Sequence, residues 1–314
     1  MAVRRALGAF AVAFAVLGTA CSSARTTAPH PAPTIPPLPV SSPGSEAANL
    51  KALRELADAG PNDPRIRIVS LAPSITEIAY AVVCGQELVA DTTFDDYPPA
   101  AKKLPHVADL SHVDLEALAK IHPSVVLALH DQEREGTEIA ERLDVPVTYL
   151  PNRGMPDLYA DITGVGRACK AEPSAVLLSA QIHDDIAAIA ARAAREQAKP
   201  RVLFLLGLPG FTAGKSSYLD DLIRLAGGVN VAGDVDQAYP DLSGEAIVAL
   251  QPDVIVVGRE VPFGQDVRSR EPWRSLAAVR SGRVEISPDD DILERPGPRI
   301  VEGLAWLEKA IHSR

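Results

Sequence analysis

The apolar positions of this chain fall into short unbroken runs separated by amphipathic stretches. Runs at 66–71, 88–91, 125–129 and 145–150 are dense in Val, Ile and Leu, as expected of strands buried on both faces. The segments between them carry apolar residues at three- and four-residue spacing, which predicts helices packed on one side. Strand and helix therefore alternate, and alternation implies a parallel α/β sheet. The same pattern resumes at 202–206, 254–257 and 284–287, with a last helix over 298–312. Residues 173–198 interrupt it with one continuous helical pattern, opened by Pro173 and closed before Pro200. At 1.5 Å per residue this helix would span roughly 39 Å, longer than a helix inside one lobe usually needs. Its apolar positions hold no heptad, so it reads as a strut between two lobes rather than a coiled coil. Within 74–77, Ser74 followed by Glu77 has the spacing of a capping box that opens the first helix.

One unit is written twice. Residues 115–127 align without a gap on 244–256, with Glu116 opposite Glu245, Pro123 opposite Pro252 and Val125 opposite Val254. Each copy is a short amphipathic helix with an acid in its first turn, a proline that stops it, and a β-branched strand. The period is too long for a solenoid and fits two lobes of similar build with a cleft between them. Two matching glutamates suggest a partner that meets both lobes. The plainer alternative is that each acid favours its own helix N-terminus, worth about 0.3–1 kcal/mol.

The N-terminal segment changes the picture of location. Arg4 and Arg5 precede a 6–17 apolar run of signal-peptide length, too short to span a membrane. The run ends Leu17-Gly18-Thr19-Ala20-Cys21, which resembles a bacterial lipobox with the leucine one place early. Residues 22–45 are mostly Ser, Thr, Ala and Pro and predict an extended tether, with a short helix over 46–59. The expected organisation is a leader over 1–20, a tether over 21–64, lobes at 65–170 and 200–314, and a connecting helix at 171–199. Cys21 is the expected lipidation site, an ordinary cleaved secretory signal being the alternative. Loss of residues 1–20 takes away two arginines and moves the formal charge from −10 to −12. An acidic domain without a basic block argues against nucleic acid, and leaves an acyl chain as the membrane anchor. In an exported chain, Cys84 and Cys169 most simply form a disulfide, with two buried free thiols as the alternative.

Other chemistry fits less well. Gly214-Lys215-Ser216 hints at a phosphate loop, but position 209 is proline where a Walker motif needs glycine. His106, His112 and His130 sit in the first lobe with no counterpart in a motif loop of the second, His183 being on the strut and His312 near the terminus. A closed metal cage is not expected, although His112 or His130 remains open as a single contact to a chelated metal. Ser74, Ser216 and Ser243 read as helix caps, and no nucleophile–base–orienter set can be traced, so no enzyme is expected.

Several short motifs occur in order over 65–314: Arg67-Ile68-Val69-Ser70-Leu71-Ala72-Pro73-Ser74, Asp96-Tyr97-Pro98-Pro99, Phe211-Thr212-Ala213-Gly214-Lys215, Ala226-Gly227-Gly228-Val229-Asn230, and Glu294-Arg295 with Pro298-Arg299. In series they resemble the helical-backbone (class III) substrate-binding proteins of ABC importers for cobalamin, haem and ferric siderophores, most of all the vitamin B12-binding members. The resemblance implies an α/β fold of two Rossmann-like lobes with central parallel sheets, joined by one long rigid helix, with the ligand cleft between them. It implies that Phe94, Phe211 and Tyr239 line the cleft and that Glu294 and Arg295 form an acid–base pair on a loop facing the ligand. Leu110 and Leu129 occupy cleft positions where vitamin B12-binding members carry tryptophan, and aromatics are only 4% of the chain. By the same resemblance Glu116 and Glu245 would dock into arginines of the two permease subunits.

The expected function is capture of a metal-containing macrocycle or chelate, a corrinoid foremost, by a monomer with no cofactor of its own. The ligand would pass to an ABC permease dimer driven by its ATPase. A ferric-siderophore or haem receptor is the alternative within transport. A ligand-sensing lipoprotein without a permease, or an enzyme on the same fold, are the alternatives from other classes.

Overall fold

The computed structural model describes Ile35 and residues 63–109 and 112–313. The leader, Cys21, most of the tether including its expected short helix, and Leu110 lie outside the described residues. In the first lobe, β1 (Ile68–Ser70), β2 (Leu88–Thr92), β3 (His106–Ala108), β4 (Val125–Leu129) and β5 (Val147–Leu150) pair in the order β3-β2-β1-β4-β5. All four pairings are parallel. Val126, Leu127 and Ala128 are fully buried, which is why the β4 run shows no polar alternation. Helices α1 (Pro73–Ala81), α2 (Leu115–Ile121) and α3 (Glu133–Leu143) supply crossovers, and α4 (Leu158–Ala168) follows β5. Cys84, just beyond α1, and Cys169, at the end of α4, are joined by a disulfide with their Cα atoms 5.9 Å apart.

Helix α5 (Glu172–Ala193) carries the chain across. It is shorter than the pattern predicts, 22 residues or roughly 33 Å. Past Ala193 the amides of Arg195 and Glu196 turn to carbonyls only three residues back, and Lys199 Nζ takes the Ala193 carbonyl at 3.0 Å. That tightening ends the α-helix before Pro200 can. Ile182, Ile186 and Ile189 line its buried face within a single core that holds Ile162 and Val165 of α4 and also Leu304 and Leu307 of the last helix. Each such side chain contributes about 1.5–3 kcal/mol on burial, so the strut is packed to both lobes. Residues 63–109 and 112–313 belong to one compact unit.

The second lobe holds β6 (Arg201–Gly207), β7 (Phe211–Thr212), β8 (Val229–Asn230), β9 (Val254–Val257) and β10 (Val284–Ile286). Its order is β10-β9-β6-β7, with β8 also on β6. The early residues of β6 pair β8 in parallel, and the late ones turn back as an antiparallel hairpin with β7. Helices α6 (Tyr218–Leu225), α7 (Gly244–Leu250), α8 (Gln265–Arg268), α9 (Ala277–Arg280), α10 (Asp291–Glu294) and α11 (Ile300–His312) complete it.

The duplicated unit is built alike in both lobes. Asp114 caps α2 by accepting from the Ala117 amide at 2.9 Å, and Ser243 caps α7 by accepting from the Ala246 amide at 3.2 Å. Both helices end on a left-handed residue, His122 and Gln251. At that end Arg67 Nη2 donates to the Ile121 carbonyl at 2.6 Å, and Arg201 Nη2 to the Leu250 carbonyl at 2.7 Å. A cation there meets the negative end of the helix dipole. Two cap expectations need correction. Position 217, not Ser216, caps α6, and Ser216 sits at φ 62° in the turn before it. Helix α1 has no capping box: Ala72 is its N-cap, Pro73 supplies a first-turn residue with no N–H to satisfy, and Glu77 is drawn elsewhere.

Candidate ligand cleft and docking faces

Parallel α/β sheets present their loops at the C-terminal edge of the strands, and the candidate residues gather there. Beyond β2 the chain turns tightly: Thr92 Oγ1 donates to Asp95 Oδ2 at 2.5 Å, and the Phe94 amide donates to Thr92 Oγ1 at 3.2 Å. This turn pushes Phe94 and Tyr97 outward. From the second lobe the β6–β7 hairpin presents Phe211, whose ring centroid lies 6.3 Å from that of Tyr239. The four rings are 41% to 45% exposed, and among the described residues they are the aromatic members of the exposed large apolar set. Tyr97 was not singled out from the sequence, where it read only as part of the Asp-Tyr-Pro-Pro motif.

The two walls meet over an ion cluster. Glu77, 3% exposed, receives Arg299 in a fork, Nε to Oε2 at 2.8 Å and Nη2 to Oε1 at 2.7 Å. Arg295 Nη1 donates to Glu77 at 3.3 Å and to Asp96 at 2.8 Å. Arg295 Nη2 reaches Asp291 at 2.8 Å and the Phe94 carbonyl at 3.3 Å. Arg299 also contacts Asp289 at 3.2 Å and lies 4.2 Å from the Tyr97 ring centroid, a cation–π geometry. Hydrogen bonding to Glu77 holds the Arg299 guanidinium well above its ordinary pKa. Arg295 and Arg299 belong to the second lobe and Glu77, Asp96 and Tyr97 to the first, so the cluster ties the lobes together. A serine followed by glutamate three residues on is ambiguous between a local cap and a long-range acid; burial and the distant arginines decide for the latter.

Glu294 ends α10 and Arg295 is its C-cap, so the acid–base pair sits on a short helix end rather than a free loop. The two part company: Arg295 joins the cluster, while Glu294 is exposed to solvent. Burial of its inner side, with Asp290 and Asp291 close by, pushes Glu294 up to about 7. Leu129 is half-buried against the core, and its amide donates to Gln132 Oε1 at 2.8 Å. His112 and His130 are exposed, whereas His106 Nδ1 lies 2.6 Å from Asp91 Oδ1. No group of three or more His, Cys, Asp or Glu side chains fit to hold a metal occurs among the described residues.

Helices α2 and α7 run antiparallel to the strands they feed, so their N-termini lie at the same edge as the cleft. The Asp114 amide bonds the Val107 carbonyl beside the end of β3, and the Leu242 amide bonds Gly210 in the β6–β7 turn. Glu116 and Glu245 are both exposed there. Glu116 is ion-paired with Lys120 at 2.6 Å, and hydrogen bonds from its own amide and from Ser243 hold Glu245 below its usual pKa.

A family profile described as periplasmic binding protein matches residues 68–290, more than half of the chain. This chain belongs to the periplasmic binding protein family. The uncharacterized ABC transporter substrate-binding lipoprotein YvrC of Bacillus subtilis is 31% identical over 254 residues, 78% of this chain and 80% of that one. The vitamin B12-binding protein of Pectobacterium atrosepticum is 28% identical, covering 75% of this chain and 84% of the relative. Among solved structures, the periplasmic heme-binding protein RhuT from Roseiflexus sp. RS-1, in apo form, superposes with a TM-score of 0.69 at 28% identity, covering 78% of this chain and 97% of RhuT. The chain is therefore an extracytoplasmic substrate-binding protein of an ABC importer, from a family of solute-binding transport proteins rather than enzymes. Such proteins work with a permease and an ATPase. No described helix is long and apolar enough to cross a membrane.

Proposed function

We propose that this periplasmic binding protein captures a corrinoid in the cleft and hands it to its permease. The observation that carries this reading is that exposed aromatic rings stand on both lobes, Phe94 and Tyr97 beside the arginines of the interlobe ion cluster and Phe211 paired with Tyr239 on the second lobe. Flat or macrocyclic ligands draw much of their grip from such faces, about 0.5–1.5 kcal/mol per ring pair beyond area burial. Leu129 adds apolar surface, and Leu110 and Glu294 complete the proposed lining. The likeness to a vitamin B12-binding protein supports the same class. The likeness to a heme-binding structure favours haem as the second reading.

Glu116 and Glu245 are the proposed docking acids, one for each permease subunit. The pseudo-symmetric α2 and α7, each capped at the cleft edge, support that role. Cys21 is the proposed lipid attachment and 21–64 the tether that holds the lobes above the outer face of the cytoplasmic membrane. The protein would act as a monomer. Absorbance titration and native mass spectrometry with cobalamin, cobinamide, haem and ferric chelates test the ligand. Retention of haem or a ferric chelate in preference to both corrinoids would overturn the corrinoid reading. Binding without transport by any permease would favour a sensing lipoprotein.

A further inference from the structure

An arginine in a ligand cleft ordinarily invites an anion, and this cleft holds two. Neither is free. Arg299 directs Nε and Nη2 to Glu77 and Nη1 to Asp289, and the Tyr97 ring lies over its guanidinium. Arg295 divides Nη1 between Glu77 and Asp96, and Nη2 between Asp291 and the Phe94 carbonyl. Their side chains are only 10% and 18% exposed. An incoming carboxylate would have to displace a carboxylate already in place, with no net gain in pairing. Glu77, Asp96, Asp289 and Asp291 outnumber the two guanidiniums, and Glu294, exposed at the end of α10 and adjacent in the chain to Arg295, is a further acid.

We infer that the cleft selects by charge: it takes a ligand that is neutral or carries net positive charge and rejects polyanions, with Glu294 as a specificity-determining residue. This rests on the reading of the cleft as the ligand site and narrows its class. A corrinoid whose periphery is amides and whose cobalt carries positive charge fits. A haem with two propionates or a ferric tris-catecholate does not. The buried ion cluster does two things at once, fastening the lobes and removing the anion site that bare arginines would make.

The test titrates the protein at pH 8, where Glu294 is ionised, with cobinamide in its aquahydroxo and dicyano forms. These share a ring and differ in net charge. Haem, a neutral ferric hydroxamate and an anionic ferric tris-catecholate complete the set. The aquahydroxo form is expected to bind about tenfold tighter than the dicyano form, the scale of one charge interaction in a half-solvated cleft. Glu294→Gln should remove most of that difference. Glu77→Gln, which releases arginine donors, should raise haem affinity. Equal binding of both cobinamide forms by wild type and Glu294→Gln, or tighter binding of the catecholate than of the neutral hydroxamate, overturns the inference. Binding of the neutral hydroxamate but of no corrinoid and no anion refutes the corrinoid reading and leaves charge selection standing.

Discussion

Replacing Glu77 by glutamine is the most direct test of what holds the lobes in register. The change keeps the side chain's shape and removes its charge, leaving Arg299 and Arg295 beside a neutral amide in a site that is almost dry. Breaking a buried pair by removing one partner costs about 3–5 kcal/mol, because the other charge stays behind. Arg299 keeps Asp289 at 3.2 Å, and Arg295 keeps Asp96 and Asp291, both at 2.8 Å, so the lower end applies. For a domain of this size each kcal/mol moves the melting temperature by about 2–4 °C, so a loss near 3 kcal/mol means a drop of about 6–12 °C. Differential scanning calorimetry of the two proteins reads this, with urea unfolding as the isothermal check. Sodium chloride at about 1 M should change wild type little, since screening acts on exposed pairs. A Glu77→Gln protein that melts within about 1 °C of wild type would refute the reasoning. So would a wild type that loses the same stability in salt alone, for the pair would then be acting as a surface contact.

The remaining expectations concern three other places. Asp161 is buried, with its Oδ2 unpaired, and burial pushes it up to about 7. An acid whose folded pKa lies above its unfolded value penalises the fold once ionised, so stability should fall as pH rises from about 4 to about 7. Asp161→Asn should therefore melt higher than wild type at pH 8 and by a clearly smaller margin at pH 5, the margin changing by on the order of 2–3 kcal/mol in calorimetry; an equal margin at both values would dismiss it. Reducing the Cys84–Cys169 bridge, 85 residues apart, should cost up to about 4–5 kcal/mol on the chain-entropy model, read as a melting shift with and without reductant. Glu116→Ala and Glu245→Ala should leave melting and ligand affinity nearly unchanged but slow transport in reconstituted vesicles, the double variant most. Interfacial charge pairs are worth about 1.5–7 kcal/mol. Unfolding of both variants, or unaltered transport, would return these acids to the role of helix-start residues.

The repeated strand–helix grammar was readable because each strand is covered on both faces and so is written as an unbroken apolar run. The expected helix over 173–198 overran because alanine and alternating charge continue past Ala193. What ends the helix is a set of three-residue turns and a lysine reaching back, and neither leaves a mark in periodicity. Glu77 was misassigned for a deeper reason: its partners lie 218 and 222 residues away, and no local spacing reports them. The duplicated helices were visible, but the arginines that close them were not, since Arg67 and Arg201 stand outside the aligned stretch. The available signal was an arginine at the entrance to the first strand of each lobe, Arg67-Ile68 and Arg201-Val202. Cys84 and Cys169 were paired by the logic of compartment and number, and the structure joins them.

The shared core beneath α5 bears on how such receptors can change their cargo. Apolar packing runs from Ile75 of the first lobe through Ile182, Ile186 and Ile189 to Leu304 and Leu307 of the second. A hybrid that takes one lobe from a relative and the other from this chain would sever that core along the strut, and would also have to rebuild the pairing of Glu77 with Arg299. The lobes are therefore poor units of recombination. The loops at 207–211 and 236–241 are better ones, because they lie outside both that core and the ion cluster.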